Sequence, residues 1–197
     1  MATTAEQIKK LREATGAGVL DAKRTLEEHN GDYDKALAVL KEKAQKTAAK
    51  KAERVTKQGV IDTYIHGGGT IGAMVEVDCE TDFVARLDIF KELAHNLALQ
   101  VAATNPQFIS PDDISPQARS QQEKIFADSA RADGKNEALV ERIVTGKMES
   151  WYKDVCLMRQ PFIRDDKTTI ADLVQTAIAK TNENIVVRRF ARFALGE

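Results

Sequence analysis

Residues 59–78 read GVIDTYIHGGGTIGAMVEVD, and within them the apolar period is two. Ile61, Thr63 and Ile65 alternate with Asp62, Tyr64 and His66; beyond Gly67-Gly68-Gly69, Ile71, Ala73, Val75 and Val77 alternate with Gly72, Met74, Glu76 and Asp78. Successive strand side chains point to opposite faces, so this is a β-hairpin turning on glycine. The strand pattern stops at Thr81-Asp82-Phe83-Val84-Ala85-Arg86, where a helical one begins. A soluble enzyme would more often carry glycine for a phosphate, or a nucleophile, at such a corner. Here an acid stands beside a bulky aromatic, which suits insertion into a partner better than bond-making. Two readings of Phe83 are open: a ring projecting outward, or one packed on Leu87 where the helix starts.

Outward from the hairpin, the patterns are mostly helical. Downstream, Leu87, Phe90, Ala94, Leu97 and Val101 form one side of a long helix that Asn105-Pro106 ends. Pro106, Pro111 and Pro116 mark an ordered loop. Helical patterns then cover 117–131, 136–144 and 147–159, separated by Asp133-Gly134 and Gly146, with Pro161 breaking the last. Thr169 to Lys180 reads as a further helix, and Asn184 to Leu195 (NIVVRRFARFAL) as a strand. Pairing that strand with the hairpin gives a small antiparallel sheet covered by helices on one face, an α+β core. Its open edges invite a second copy.

Upstream, the first forty residues read as a compact three-helix unit. Thr4 and Gln7 have capping-box spacing, and Gly16 stops the first helix. The second offers Leu20, Ala22 and Leu26 for burial and ends at Asn30-Gly31; Asp32 caps a third with Tyr33, Ala36, Leu37 and Leu40. A unit this small suits docking better than catalysis. Lys41 to Lys57 is lysine-rich and alanine-spaced, reading as a helical linker with a solvated surface. The alternative, contact with RNA, lacks the aromatics that would stack on bases. The predicted division is therefore 1–42 docking module, 43–58 Lys-rich helical linker and 59–197 α+β core and dimerisation domain.

A net charge of −1 and a pI near 6.3 give no global electrostatic pull toward nucleic acid or membrane. Met1 to Glu6 lacks an apolar signal core, and no apolar run approaches the roughly 18 residues of a membrane span. Cys79 and Cys156 are far apart, so reduced thiols in a cytoplasmic protein are expected.

Enzymatic motifs fail on context. Gly67 to Gly72 satisfies G-x-G-x-x-G, yet a strand rather than a helix follows, leaving no helix N-terminus for a pyrophosphate. His66-Gly67-Gly68-Gly69 imitates an esterase oxyanion loop without any G-x-S-x-G elbow. His29, His66 and His95 stand apart from the cysteines, no phosphate loop is present, and Asp112-Asp113 and Asp165-Asp166 sit in loops. No catalytic residue, metal or cofactor is expected. The default is a binding protein.

Several segments carry a resemblance: Leu11-Arg12-Glu13-Ala14-Thr15-Gly16-Ala17-Gly18, Asn30-Gly31-Asp32, the hexamer ending at Arg86, and Gln160-Pro161-Phe162. Together, in this order and over essentially the whole chain, they resemble the elongation factor Ts family, in its short, single-core bacterial form. The resemblance implies guanine-nucleotide exchange on elongation factor Tu during translation, with a UBA-like N-terminal module ahead of the core. It implies a wedge at Thr81, Asp82, Phe83 and Val84 that enters the G domain near its magnesium and phosphate site. Docking contacts fall on Arg12, Val19, Leu20 and Lys23, and a further core contact on His66. For Leu20 the competing reading is core packing, for His66 a solvated turn residue, and for Asp82 a cap on its own helix. The partner implied is elongation factor Tu, through its G domain and a further domain, with no membrane and no direct nucleic acid. Longer members carry two similar cores and an inserted coiled coil; this chain has room for one, so homodimerisation is expected. A non-catalytic adaptor and a ribosome-associated RNA binder are the alternatives.

Overall fold

The computed structural model describes residues 4–197; Met1 to Thr3, part of the segment predicted to lack a signal core, lie outside the described residues. In chain order the elements are α1 (Ala5–Thr15), α2 (Val19–Glu28), α3 (Tyr33–Lys51), β1 (Gln58–His66), β2 (Ile71–Cys79), α4 (Asp82–Ala85), α5 (Asp88–Thr104), α6 (Pro116–Ala132), α7 (Glu137–Val155), β3 (Pro161–Phe162), β4 (Asp165–Thr169), α8 (Ile170–Thr181) and β5 (Ile185–Ala194). The fold is α+β. Two compact units are present, Met1–Ala102 with Ala171–Glu197, and Ala103–Ile170.

In the first unit, Thr4 and Gln7 close a reciprocal capping box on α1, and Gly16 ends that helix at φ 70°. Glycine is required there twice over: the backbone is left-handed, and a Cβ would stand 2.8 Å from both Ala179 Cβ and the Thr176 carbonyl on α8. Asp32 caps α3 by accepting from the Lys35 amide. Leu11, Ala22, Leu26, Ala36 and Leu40 form the shared core of α1, α2 and α3, with Ile8, Tyr33 and Leu37 around it. Of the two readings open for Leu20, core packing does not hold; the side chain lies outside that core and is 81% exposed. Two helical steps turn about 200°, so burying Ala22 points Leu20 the opposite way.

Helix α3 does not stop near Leu40 but continues unbroken to Lys51, through the first part of the lysine run. Nor is the run solvated throughout. Lys41 meets Asp172 at 2.9 Å, and Lys51 is buried with its Nζ donating to Asn182 Oδ1 at 2.6 Å.

The sheet is antiparallel in the order β1-β2-β5. Gln58 faces Cys79 and His66 faces Ile71 across the hairpin, and β5 pairs β2 from Cys79–Ile185 to Ile71–Ala194 with a bulge beside Glu76 and Val77. Gly67, Gly68 and Gly69 all take positive φ, a run that side-chain-bearing residues would resist. Ala73, Val75, Val77 and Cys79 are buried on the inner face. Helix α5 lies over it: His95 Nδ1 is 3.5 Å from Asp62 Oδ2, the Tyr64 ring meets His95 edge-on, and Arg192 Nε donates to the Ala102 carbonyl at 3.1 Å.

Register decides which set of β1 residues faces inward. Asp62 lies opposite Val75 and Tyr64 opposite Ala73, so Ile61, Thr63 and Ile65 point away from α5. The outer face includes the cross-strand rows Ile61-Glu76-Arg189, Thr63-Met74-Ala191 and Ile65-Gly72-Phe193. Its large apolar side chains are exposed, Phe193 at 74%.

In the second unit, α6 and α7 pack as a helical hairpin, and Arg131 clamps Glu137 across the turn with bonds of 2.9 and 3.0 Å. Gly146 does not divide α7, which runs through it to Val155. An added Cβ there would meet nothing within 4 Å, so this glycine is on open surface and costs only the ~1 kcal/mol of its poor helix propensity. The helix ends at Val155, followed by a 3-10 turn at Leu157–Arg159, and Pro161 opens β3 instead of breaking a helix. The β3–β4 pair is a further departure from the predicted pattern. Ile114, Val155 and Cys156 form the local core with Phe108, Trp151 and Tyr152 packed against it.

Candidate protein-docking site

The corner between β2 and α5 is built from its anchors outward. Pairing on β2 ends at Cys79 opposite Ile185, after which the chain bends. Thr81, in extended conformation, caps α4: its Oγ1 accepts from the Val84 amide at 3.4 Å. Helix α4 is one turn long, too short to stand alone. It persists because Val84 and Ala85 are buried while Leu87 N and Ala85 N return to the carbonyls of Val84 and Thr81. Burying those two leaves Phe83 on the opposite side of the turn, 77% exposed. The ring is not packed away on Leu87.

Asp82 does not cap the helix; that role belongs to Thr81. Its Oδ2 instead takes an Arg86 guanidinium N–H at 2.8 Å, an i,i+4 pair on the exposed side. The corner therefore presents an apolar ring beside a carboxylate already oriented by a cation. Beneath it, Cys79 Sγ donates to the Thr81 carbonyl at 3.1 Å. Burial pushes this thiol up to about 11, so it stays protonated and serves as packing.

Arg12 sits in the last turn of α1, and Val19, Leu20 and Lys23 share the first turns of α2; all four side chains are exposed. Leu20 beside Val19 makes an uncovered apolar spot on a small module. His66 is also exposed, at the hairpin turn, with Nδ1 3.1 Å from the Tyr64 hydroxyl. It lies at the opposite end of β2 from the corner, about 26 Å of strand away. Thus the structure does not bring His66 and Phe83 together.

One contact at the corner escapes the sequence patterns. Glu183 reaches the corner from about a hundred residues away, accepting from the amides of Glu80 and Thr81 and from Thr81 Oγ1. The Asp82–Arg86 pair, by contrast, has the i,i+4 spacing that a helix brings together. Among the described residues no cluster of His, Cys, Asp or Glu could hold a metal, and no helix is long and apolar enough to cross a membrane.

Comparison with known proteins agrees across the full length. The family described as Elongation factor TS matches residues 1–197. The chain is 47% identical to elongation factor Ts of Carboxydothermus hydrogenoformans over 194 residues, covering 98% of this chain and 89% of that protein. It is 47% identical to elongation factor Ts of Moorella thermoacetica, covering 98% and 95%, and 46% identical to that of Koribacter versatilis, covering 100% and 90%. Similarity of this extent, together with the anchored corner, means that the chain belongs to the elongation factor Ts family.

Proposed function

We propose that this protein is a cytoplasmic guanine-nucleotide exchange factor for elongation factor Tu in translation elongation, acting without bond-making chemistry. The observation that carries the reading is the exposed Phe83 ring on a turn anchored by Val84 and Ala85, in a chain of this family. Pressed into the G domain beside its magnesium and phosphates, the ring and Asp82 displace the elements that hold them. The factor binds the nucleotide-free form best, so by linkage it weakens GDP by the same factor that GDP weakens it. GTP then refills the site and expels the factor.

The three-helix segment, residues 1–42, docks separately through Arg12, Val19, Leu20 and Lys23, with residues 43–58 connecting it to a core of residues 59–197. His66 makes a further contact with the partner, away from the G-domain wedge. The core pairs with a second copy through the outer sheet face, where Ile61, Ile65, Met74 and Phe193 are exposed together. An exposed apolar sheet face of this kind marks an interaction surface. Each subunit of the dimer engages its own copy of elongation factor Tu.

Release of fluorescent GDP from elongation factor Tu tests the reading. Wild-type protein accelerates release strongly. Phe83→Ala lowers the maximal rate with little change in half-saturating concentration, whereas Leu20→Ala raises that concentration and leaves the maximum intact. Unaltered release with Phe83→Ala would remove the wedge, and unaltered affinity with Leu20→Ala would remove the docking role.

A further inference from the structure

The link between α8 and β5 is three residues long, Asn182-Glu183-Asn184, and each side chain is engaged elsewhere. Asn182, left-handed at φ 61°, ends α8 and accepts from the buried Lys51 Nζ. Asn184 is buried and its Nδ2 donates to the carbonyls of Ala52 and Arg54 at 3.3 and 3.0 Å. The link is thereby held by the end of α3. Between these two anchors stands Glu183.

Glu183 meets the corner at the point where strand pairing runs out. Beyond Cys79–Ile185 the amides of Glu80 and Thr81 no longer face strand carbonyls. Glu183 Oε2 takes both, at 3.1 and 3.0 Å, and Oε1 takes the Thr81 hydroxyl proton at 2.6 Å. In return Glu80 Oε1 accepts from the Asn184 amide at 2.6 Å and lies 3.4 Å from Arg54 NH1. Two carboxylates, one from each chain segment, thus continue by side chain the pairing that the backbone abandons. Backbone donors left without a partner at such a place would be costly, and charged acceptors make the stronger bonds.

The geometry of Thr81 sets the direction in which α4 leaves the sheet. With its hydroxyl proton committed to Glu183, the Thr81 oxygen turns its lone pairs toward the Val84 amide. We propose that Glu183 is a positioning residue for nucleotide exchange, clamping Glu80 and Thr81 so that α4 presents Phe83 in a fixed direction. The inference rests on the wedge reading of Phe83 and names what holds the wedge steady. Glu183 touches neither nucleotide nor magnesium; it acts through Thr81.

The test is a double-mutant cycle on GDP release from elongation factor Tu, using full-length wild type, Glu183→Gln, Phe83→Ala and the double variant. Glutamine keeps the size and one acceptor oxygen but loses the charge and turns an NH2 toward the donors. Glu183→Gln lowers the maximal release rate about fivefold, as expected for weakened charge-assisted hydrogen bonds open to some solvent, with half-saturation unchanged. In the Phe83→Ala background the same change has no further effect, because the element it positions is gone. A merely structural role would give the same loss in both backgrounds, and that result overturns the inference. Wild-type release by Glu183→Gln alongside impaired Phe83→Ala overturns the clamp and leaves the wedge standing. Normal release by Phe83→Ala removes the wedge and the clamp together. Thr81→Val, which removes the hydroxyl that Glu183 engages, reproduces the Glu183→Gln loss; a wild-type rate for Thr81→Val would also count against the clamp.

Discussion

Replacing Phe193 by Asp puts the proposed self-association of the core to a quantitative test. The ring is 74% exposed in the single chain, at the end of the row Ile65-Gly72-Phe193. A phenylalanine carries about 200 Å² of surface, so about 150 Å² per subunit is available to a second copy. At about 25 cal/mol per Å² this is near 4 kcal/mol per subunit, entered twice by a twofold axis. The introduced carboxylate adds the cost of losing its water without a partner. The dimer dissociation constant should therefore rise at least about a thousandfold, which corresponds to ~4 kcal/mol. The folded single chain should be nearly indifferent, within ~0.5 kcal/mol, because the ring is already in water there. Light scattering over a wide dilution range reads both species against the 21.8 kDa chain. Wild type should show twice that mass and Phe193→Asp the single mass at the same concentration, with unchanged thermal unfolding of the dissociated chain. A single mass for wild type throughout, or a doubled mass that survives the substitution, refutes the argument.

Two glycines should respond with opposite signs. Gly146→Ala, on an open helix surface, should stabilise by about 1 kcal/mol in urea unfolding, whereas Gly16→Ala should destabilise by ~2 kcal/mol or more through left-handed strain and a 2.8 Å clash with α8. The reverse order would contradict the placement of both residues. Burial raises Cys79 and Cys156 to about 11, well above the ordinary thiol range, so at pH 8 almost no thiolate exists. Native protein should resist a thiol-specific reagent at pH 8, gain reactivity only as the pH approaches 11, and label fully once unfolded; rapid labelling at pH 8 would contradict the burial.

Much of the fold is legible because its punctuation is chemical and local. Gly16, Asn30, Asn105 and Gly134 all take positive φ beside helix ends, and the sequence places a stop at each. The hairpin follows from period two and three glycines. What alternation does not reveal is which face is covered. Ile61 and Ile65 look like core residues until register pairs Tyr64 with Ala73 and brings His95 over Asp62. Leu20 stays open between core and surface for the same reason, since hydrophobicity does not record direction. Gly146 misleads in another sense: a glycine on open helix surface is a modest loss, not a stop. The β3–β4 pair is short and polar, DDKTT in its longer strand, and carries no period to read. At the corner, the exposed ring follows from the tension between Phe83 and its buried neighbours, but Glu183 belongs to a contact spanning about a hundred residues. Only folding assembles it.

The unbroken course of α3 has a mechanical consequence. Its nineteen residues span about 28 Å, with the Leu40 cluster at one end and the Lys51–Asn182 contact at the other. A stiff rod between two grips behaves as a caliper with a set gap. On the proposed two-point engagement of the partner, such a rod would hold the second docking surface at high local concentration once the first has bound, with no slack chain to lose in entropy. Under the same proposal the stiffness would set a gauge, because a GTPase whose two receiving surfaces stand several ångströms nearer or farther apart could not take both docking surfaces at once.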